Sequence, residues 1–199
     1  MPERPFIKHL QARLFPVLRS EGFKGSGATL RRYAPPVLHV FNIQKSSSET
    51  HCYLNLGAHL DFLPTAGEGR CVPETIKESE CVFRDRIVPP PGPAFGWVYQ
   101  VDAKDIEESV EFILSEWSRV GRTFFARYSE YPRQFVELVR AALGTETHPM
   151  DALVLGRIAV HLNLRTEAEQ LVSEALPTVS PAATGLKRNL ERLVTGPAA

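Results

Sequence analysis

Two arginines separated by one residue, Arg84 and Arg86, are the side chains best suited to ligand binding in this sequence. The segment ECVFRDRIV around them alternates apolar and charged residues, which predicts a β-strand carrying Glu80, Arg84 and Arg86 on one face. On a strand, the Cα atoms of the two arginines would be about 6.6 Å apart. Paired guanidinium groups at this spacing suit a carboxylate or a phosphate. The alternative is a surface ion-pair network with Glu78, Glu80 or Asp85.

A second set of polar side chains lies on a predicted β-hairpin. Residues 37–46 and 51–62 are strand-like, and the four residues between them are a common antiparallel connection. We predict the register that buries the apolar residues of both strands. In that register Asn42 lies opposite Asn55, and Gln44 lies opposite Tyr53. The other face, which forms the core, then consists of Phe41, Ile43, Leu54 and Leu56.

These two sets define one candidate binding surface, because the charged face of the third strand can extend the polar face of the hairpin. The candidate ligand-binding residues are Asn42, Gln44, Tyr53, Asn55, Glu80, Arg84 and Arg86. The same residues could instead form a buried polar network that fixes the strand register. The sequence leaves both interpretations open.

Catalytic and metal-binding patterns are weak. Ser46–Ser48 lacks a G-x-S-x-G context, and Cys52 and Cys81 fall on predicted apolar strand faces, where cysteine behaves as a small hydrophobe. His59 and Asp61 share a strand face, but two residues do not define a coordination sphere. We therefore expect no metal and no cofactor. The lack of a catalytic motif favours a protein that is not an enzyme, although the sequence leaves an enzyme as the alternative.

The elements that must position these residues indicate an α+β protein. Apolar spacing predicts an N-terminal helix over residues 3–20, followed by an antiparallel sheet of four to five strands and a C-terminal helical region. The sheet includes short strands near residues 28–33 and 95–101, and the proline run at 89–93 is predicted to be a linker or edge loop. We place an α+β domain at residues 1–145 and a helical cap at 146–199.

Composition limits the partners and the location. Lys+Arg and Asp+Glu both total 23, so there is no overall charge to attract nucleic acid. No run reaches the roughly 20 apolar residues that a membrane-spanning helix needs. Three cysteines are a poor basis for a disulfide framework. We expect a cytoplasmic protein that binds neither nucleic acid nor membrane.

The chain resembles a bacterial family of uncharacterised proteins, domain-of-unknown-function family 4304 (DUF4304), over roughly residues 1–120. The resemblance rests on a G-F pair after the first helix, an I-Q-x-S strand, an N-L-G strand, an E-C-x-x-R-x-R-[IL] segment and a following tryptophan. In this sequence the matching positions are Gly22, Phe23, Ile43, Gln44, Ser46, Asn55, Leu56, Gly57, Glu80, Cys81, Arg84, Arg86, Ile87 and Trp97. The resemblance implies no established activity, cofactor or catalytic residue.

Two functions fit these observations. The first is a non-catalytic binding module, either for a protein partner or of immunity-like type, which neutral charge, small size and the lack of a catalytic motif favour. The second is an enzyme or receptor that holds a small anionic ligand on the polar sheet face with the paired arginines. Convergence of those side chains on a concave pocket would favour the second.

Overall fold

The computed structural model describes residues 3–89 and 96–195. By its contacts the chain divides into two compact units, Met1–Arg127 and Tyr128–Ala199. Most of the proline run at residues 89–93 lies outside the described residues. No helix in the described ranges combines the length and apolar character needed to cross a membrane.

The first unit contains an antiparallel sheet, as predicted. Its strands are β1 (Thr29–Ala34), β2 (Val37–Lys45), β3 (His51–Leu60), β4 (Phe83–Ile87) and β5 (Trp97–Val98). The spatial order is β1-β2-β3-β4, and β5 pairs with the N-terminal end of β3. The indole N–H of Trp97 donates to the carbonyl of Ile87 at 2.9 Å, which joins β5 to the end of β4.

The predicted hairpin register is confirmed. Asn42 lies opposite Asn55 and Gln44 lies opposite Tyr53. The next pairing continues the same row, because Asn55 lies opposite Arg86 and Gly57 lies opposite Arg84. Directly paired residues of an antiparallel sheet point to the same face. The sheet therefore brings the hairpin amides and the arginines of β4 onto one surface.

Helices cover the opposite face of the sheet. They are α1 (Glu3–Ser20), α2 (Ala103–Glu116), a π-helical turn (Trp117–Gly121) and α3 (Arg122–Arg127). The helix α1 ends at Ser20, as predicted, and Gly22 just beyond it has a φ of 89°, which suits a C-terminal glycine cap. Trp117 is fully buried and packs edge-on against Phe41 of β2, with 5.6 Å between the ring centres. Aromatic packing between helix and sheet thus forms the main core.

A second, smaller core lies on the surface that the arginines share. It consists of Leu38, Val40, Cys71, Ile76 and Cys81. The segment that closes it includes a short 3-10 turn, Glu78–Glu80. Gly57 permits this close approach, since a Cβ there would lie 2.8 Å from Cys81 Sγ and 3.1 Å from Glu78 Cα. Part of the predicted polar face is therefore an apolar contact.

The second unit consists of four main helices in its described part. They are α4 (Arg133–Ala142), α5 (Pro149–His161), α6 (Arg165–Ala175) and α7 (Thr184–Thr195). Their shared core contains Ala152, Leu153, Val172, Ala175 and Leu190. The predicted boundary after residue 145 falls inside this unit, between α4 and α5, whereas the division of the chain into compact units follows Arg127.

Candidate functional site

A groove beside β4 brings together four of the seven candidate residues. Its volume is about 570 Å³, within the range of ordinary ligand pockets. The predicted residues that line it are Gln44, Asn55, Arg84 and Arg86. The other described lining residues are Leu56, Glu78, Ser79, Asp85 and Val88.

Asn55 is the central residue of this groove. It is only 5% exposed, and its amide is bonded on both sides. Its Oδ1 accepts a hydrogen bond from Arg86 Nε at 2.8 Å, and its Nδ2 donates to Gln44 Oε1 at 3.0 Å. The same Nδ2 lies 3.5 Å from Glu78 Oε1, a long contact. These bonds join three strand residues and the 3-10 turn through one buried amide.

Arg86 is held in place by a second neighbour. Its guanidinium carbon lies 4.3 Å from the centre of the Tyr53 ring, within cation–π distance. The Tyr53 hydroxyl is in turn hydrogen-bonded to His51 Nε2 at 2.8 Å. Tyr53 therefore supports the groove from beneath Arg86 and is not among its lining residues.

Arg84 is exposed and weakly held. Its only hydrogen bond in the described chain is a 3.4 Å donation to the Ser79 carbonyl. Among the described residues, neither Arg84 nor Arg86 has a carboxylate oxygen within 4.0 Å of a guanidinium nitrogen. The described residues thus form no ion-pair network around these arginines, and the polar network that could fix the strand register includes Arg86 but not Arg84.

Two candidate residues lie away from the groove. Asn42 turns towards the edge strand β1, where its Nδ2 donates to Thr29 Oγ1 at 2.8 Å. Glu80 is not on β4, because it belongs to the 3-10 turn, and its carboxylate accepts the Lys77 backbone N–H at 2.7 Å. The prediction that Glu80 shares a strand face with the arginines is wrong, since local capping bonds replace the first part of the predicted strand.

Cys81 also lies before β4 and not on an apolar strand face. It is fully buried against Gly57, and burial is the main cause that raises the pKa of its thiol. Burial likewise raises the pKa of Cys52 to about 12. Both thiols are protonated near neutral pH and are poor nucleophiles. The predicted burial of these cysteines is confirmed, although Cys81 is buried in the smaller core.

Glu78 is the lining residue that sequence reasoning did not select as a binding residue. From the sequence it is expected only as an ion-pair partner of the arginines. Its carboxylate instead has no basic nitrogen within 4.0 Å among the described residues. A local signal was available, because Glu78 precedes the E-C-x-x-R-x-R segment by two residues. Its direction into the groove depends on the 3-10 turn, which periodicity did not reveal.

A chain of hydroxyl groups near the hairpin turn was also missed. Ser48 Oγ lies 2.8 Å from Thr50 Oγ1, which lies 3.0 Å from His51 Nδ1. The chain continues through His51 Nε2 to Tyr53 and so reaches the residue beneath Arg86. Alternate strand positions place His51 and Tyr53 side by side, but the loop hydroxyls depend on the turn conformation. We assign this chain a role in holding Tyr53.

His59 and Asp61 each form hydrogen bonds within the protein. His59 is buried, its Nδ1 accepts the Val82 backbone N–H at 3.3 Å, and its Nε2 lies 3.2 Å from the Leu63 carbonyl. Asp61 accepts a hydrogen bond from the Tyr33 hydroxyl at 2.6 Å. In the described ranges, no cluster of three or more His, Cys, Asp or Glu side chains could hold a metal ion.

Comparison with known proteins identifies the family of this chain. The model of the family "Domain of unknown function (DUF4304)" matches residues 14–127. A search of curated proteins found no match, and a search of solved structures found none either. The matched residues cover more than half of the chain and include all the residues that line the groove. The chain therefore belongs to the family of the domain of unknown function DUF4304.

Proposed function

We propose that the protein is a non-catalytic binding module that holds a small anionic ligand in the groove beside β4. The observation that carries this proposal is that Arg84 and Arg86 line the groove without a carboxylate partner in the described chain. Gln44 and Asn55 also line the groove. A guanidinium group presents several fixed N–H donors, which match a carboxylate or a phosphate.

The two arginines differ in how firmly they are held, and each difference suits ligand binding. Arg86 is held by Asn55 and Tyr53, so its direction is fixed before a ligand arrives. Arg84 has one long hydrogen bond and can turn towards a ligand at little cost. One preorganised donor and one adjustable donor fit a binding site, because preorganisation lowers the ordering cost of association.

The lining favours binding over catalysis. Its described members include no histidine, the side chain that most often acts as a general acid or base, and no base is hydrogen-bonded to the Ser79 hydroxyl among the described residues. The thiol of Cys81, which is buried against Gly57, is kept protonated by its raised pKa. A protein partner that inserts an acidic side chain into the same groove is the second candidate, and the exposure of Arg84 favours it equally.

The family resemblance and the cysteines motivate a location. We infer that the protein works in the bacterial cytoplasm, because all three of its cysteines are free and buried. Proteins of reducing compartments use cysteine in this way. Fractionation of a native host cell would test this inference, and recovery in a secreted fraction would contradict it.

A thermal-shift screen tests the binding proposal. Wild-type protein would be titrated with inorganic phosphate, succinate and citrate, with Arg84→Ala measured alongside. We expect at least one anion to stabilise the wild type, and Arg84→Ala to weaken its binding about tenfold, since a charge-assisted hydrogen bond contributes about 1.5–3 kcal/mol.

The control variant is Arg188→Ala, which removes an exposed arginine of α7 in the second unit. It should bind the same anion as tightly as the wild type. Equal weakening in both variants would mean a general charge effect. Absence of any stabilisation would reject the small-ligand proposal and favour the acidic side chain of a protein partner.

A further inference from the structure

We propose that the ligand of this groove is dipolar, with an anionic group bound by Arg84 and Arg86 and an ammonium group bound by Glu78. A free amino acid has this chemistry. The inference rests on the proposed function, because it concerns the same groove and adds a second, oppositely charged contact. It makes Glu78 a residue that determines ligand specificity.

The fold places the Glu78 carboxylate in the groove. Glu78 begins the 3-10 turn that lies on β3, and its Cα comes within 3.1 Å of the position that a Cβ of Gly57 would occupy. Because the backbone of Glu78 packs so closely on β3, its position above the sheet and the direction of its side chain are fixed. The side chain of Glu78 is half-buried and lines the groove with the two arginines.

Asn55 separates the opposite charges. Its Oδ1 is bonded to Arg86, and its Nδ2 faces Glu78 at the longer distance of 3.5 Å. The acceptor end of the amide therefore faces the cation and the donor end faces the anion. With Gln44 also bonded to Nδ2, the amide has no freedom to flip without losing a 2.8 Å and a 3.0 Å hydrogen bond. A guanidinium and a carboxylate are thus held on two sides of one uncharged group.

The two signs of charge are close to each other but unpaired. Both Glu78 and Arg84 act on the buried Cys81 thiol, where Glu78 raises and Arg84 lowers the pKa. Glu78, Arg84 and Arg86 line the same groove, yet no ion pair joins Glu78 to either arginine within 4.0 Å in the described chain. Because no such pair exists among the described residues, a ligand that matches both charges can bind without breaking one.

The remaining bonding capacity of Glu78 fits an ammonium group. A carboxylate can accept about four hydrogen bonds. In the described chain, the only side-chain donor near the Glu78 carboxylate is Asn55 Nδ2, which lies 3.5 Å from Glu78 Oε1. An ammonium group supplies three donors as a compact charge. The two ends of an amino acid would then each form charge-assisted hydrogen bonds, which are roughly twice as strong as neutral ones.

Matched ligand pairs test this inference. Glutamate differs from glutarate, and aspartate from succinate, only by the ammonium group. Calorimetric titration of the wild type should show that the amino member of at least one pair binds about tenfold more tightly, as one additional charge-assisted contact would give. Glu78→Gln should reduce that preference to less than about threefold and leave glutarate or succinate binding unweakened. Glu78→Asp, which keeps the charge, should retain part of the preference.

The control is Glu108→Gln, which removes an exposed carboxylate of α2 that lies 3.7 Å from Lys104. It should keep the wild-type preference. An unchanged preference in Glu78→Gln, or tighter binding of the ligands without an ammonium group, would overturn the dipolar assignment. If Arg84→Ala still weakened glutarate or succinate in that case, the proposed function would stand alone. If none of the four ligands bound the wild type and no simple anion did, both proposals would fail.

Discussion

At the scale of single residues, Asn55 determines which charges of the groove are left for a ligand. Its amide satisfies Arg86 with an acceptor and offers Glu78 a donor. An aspartate at this position would place a second carboxylate beside Glu78, and a leucine would leave Arg86 without its acceptor. A buried polar group must be hydrogen-bonded to be tolerated, and only an uncharged group with both functions meets these two demands.

Tyr33 provides a direct test of a side-chain contact. Its hydroxyl donates to Asp61 Oδ2 at 2.6 Å, and this bond is the main cause that raises the pKa of Tyr33 to about 12 from its ordinary value of 10. Because the folded pKa is higher, the contact stabilises the protein below about pH 10 and this contribution is lost as the pH rises towards 12. Asp61→Asn should lower the Tyr33 pKa towards 10 in an ultraviolet titration, with Tyr33→Phe subtracted.

Glu74→Gln is the matched control for that titration. Glu74 also raises the Tyr33 pKa, but only as the smallest of the causes. Its removal should therefore shift the Tyr33 pKa by clearly less than the removal of Asp61. Equal shifts in the two variants would show that general negative charge, and not the hydrogen bond, controls the phenol.

At the scale of elements, the hairpin register could be predicted because the alternation of apolar and polar residues in each strand indicates the same pairing. In β2 the large apolar residues Phe41 and Ile43 alternate with Asn42 and Gln44, and in β3 the alternation is equally regular. A register shift by one residue would expose one complete apolar set. The alternation is therefore enough to predict that Asn42 and Asn55 lie opposite each other on the same face of the sheet.

The segment before β4 could not be predicted in the same way. Alternation over the few residues from Glu80 to Phe83 is too short to exclude another local structure. Here the competing structure is a 3-10 turn stabilised by local bonds, from Lys77 N–H to the Glu80 carboxylate and from Cys81 N–H to the Glu78 carbonyl at 3.2 Å. Glu78 enters the groove only because of this turn, so its role was not visible in the sequence.

Gly57 tests whether the turn is held by close contact with β3. A methyl group there would lie 2.8 Å from Cys81 Sγ and 3.1 Å from the backbone of Glu78. The backbone cannot yield as a flexible side chain does. We expect Gly57→Ala to lower the free energy of unfolding by about 1–3 kcal/mol, the usual cost of overpacking. Urea denaturation followed by tryptophan fluorescence would measure this change.

Gly67→Ala is the control for the same experiment. A Cβ at Gly67 meets no atom within 4 Å, and its φ is not among the positive values. Its free energy of unfolding should stay within about 0.5 kcal/mol of the wild type. A Gly57→Ala variant as stable as Gly67→Ala would show that the turn is not packed on the sheet as described.

At the scale of the whole molecule, the order of elements was predictable but the division into units was not. Strands followed by helices indicate an α+β protein from sequence alone. Which helices share a core depends on contacts between distant residues, such as those of Leu190 with Ala152 and Val172, and amphipathic spacing does not specify them. Both tryptophans, Trp97 and Trp117, lie in the first unit, so their fluorescence reports on the unit that contains the groove.

The pH dependence of stability in that unit should depend partly on His59. Burial lowers its pKa below the ordinary value of 6.5, and this outweighs the opposing effects of the Leu63 carbonyl, Asp61 and Glu80. The unfolded chain therefore binds this proton first, so stability is retained above about pH 6.5 and falls at lower pH, by at most about 1.4 kcal/mol per pH unit for one proton. Urea denaturation from pH 8 to pH 5 should show a shallower loss for His59→Gln than for the wild type. Because all other titrating groups are common to both proteins, parallel curves would mean that His59 is not kept neutral by burial.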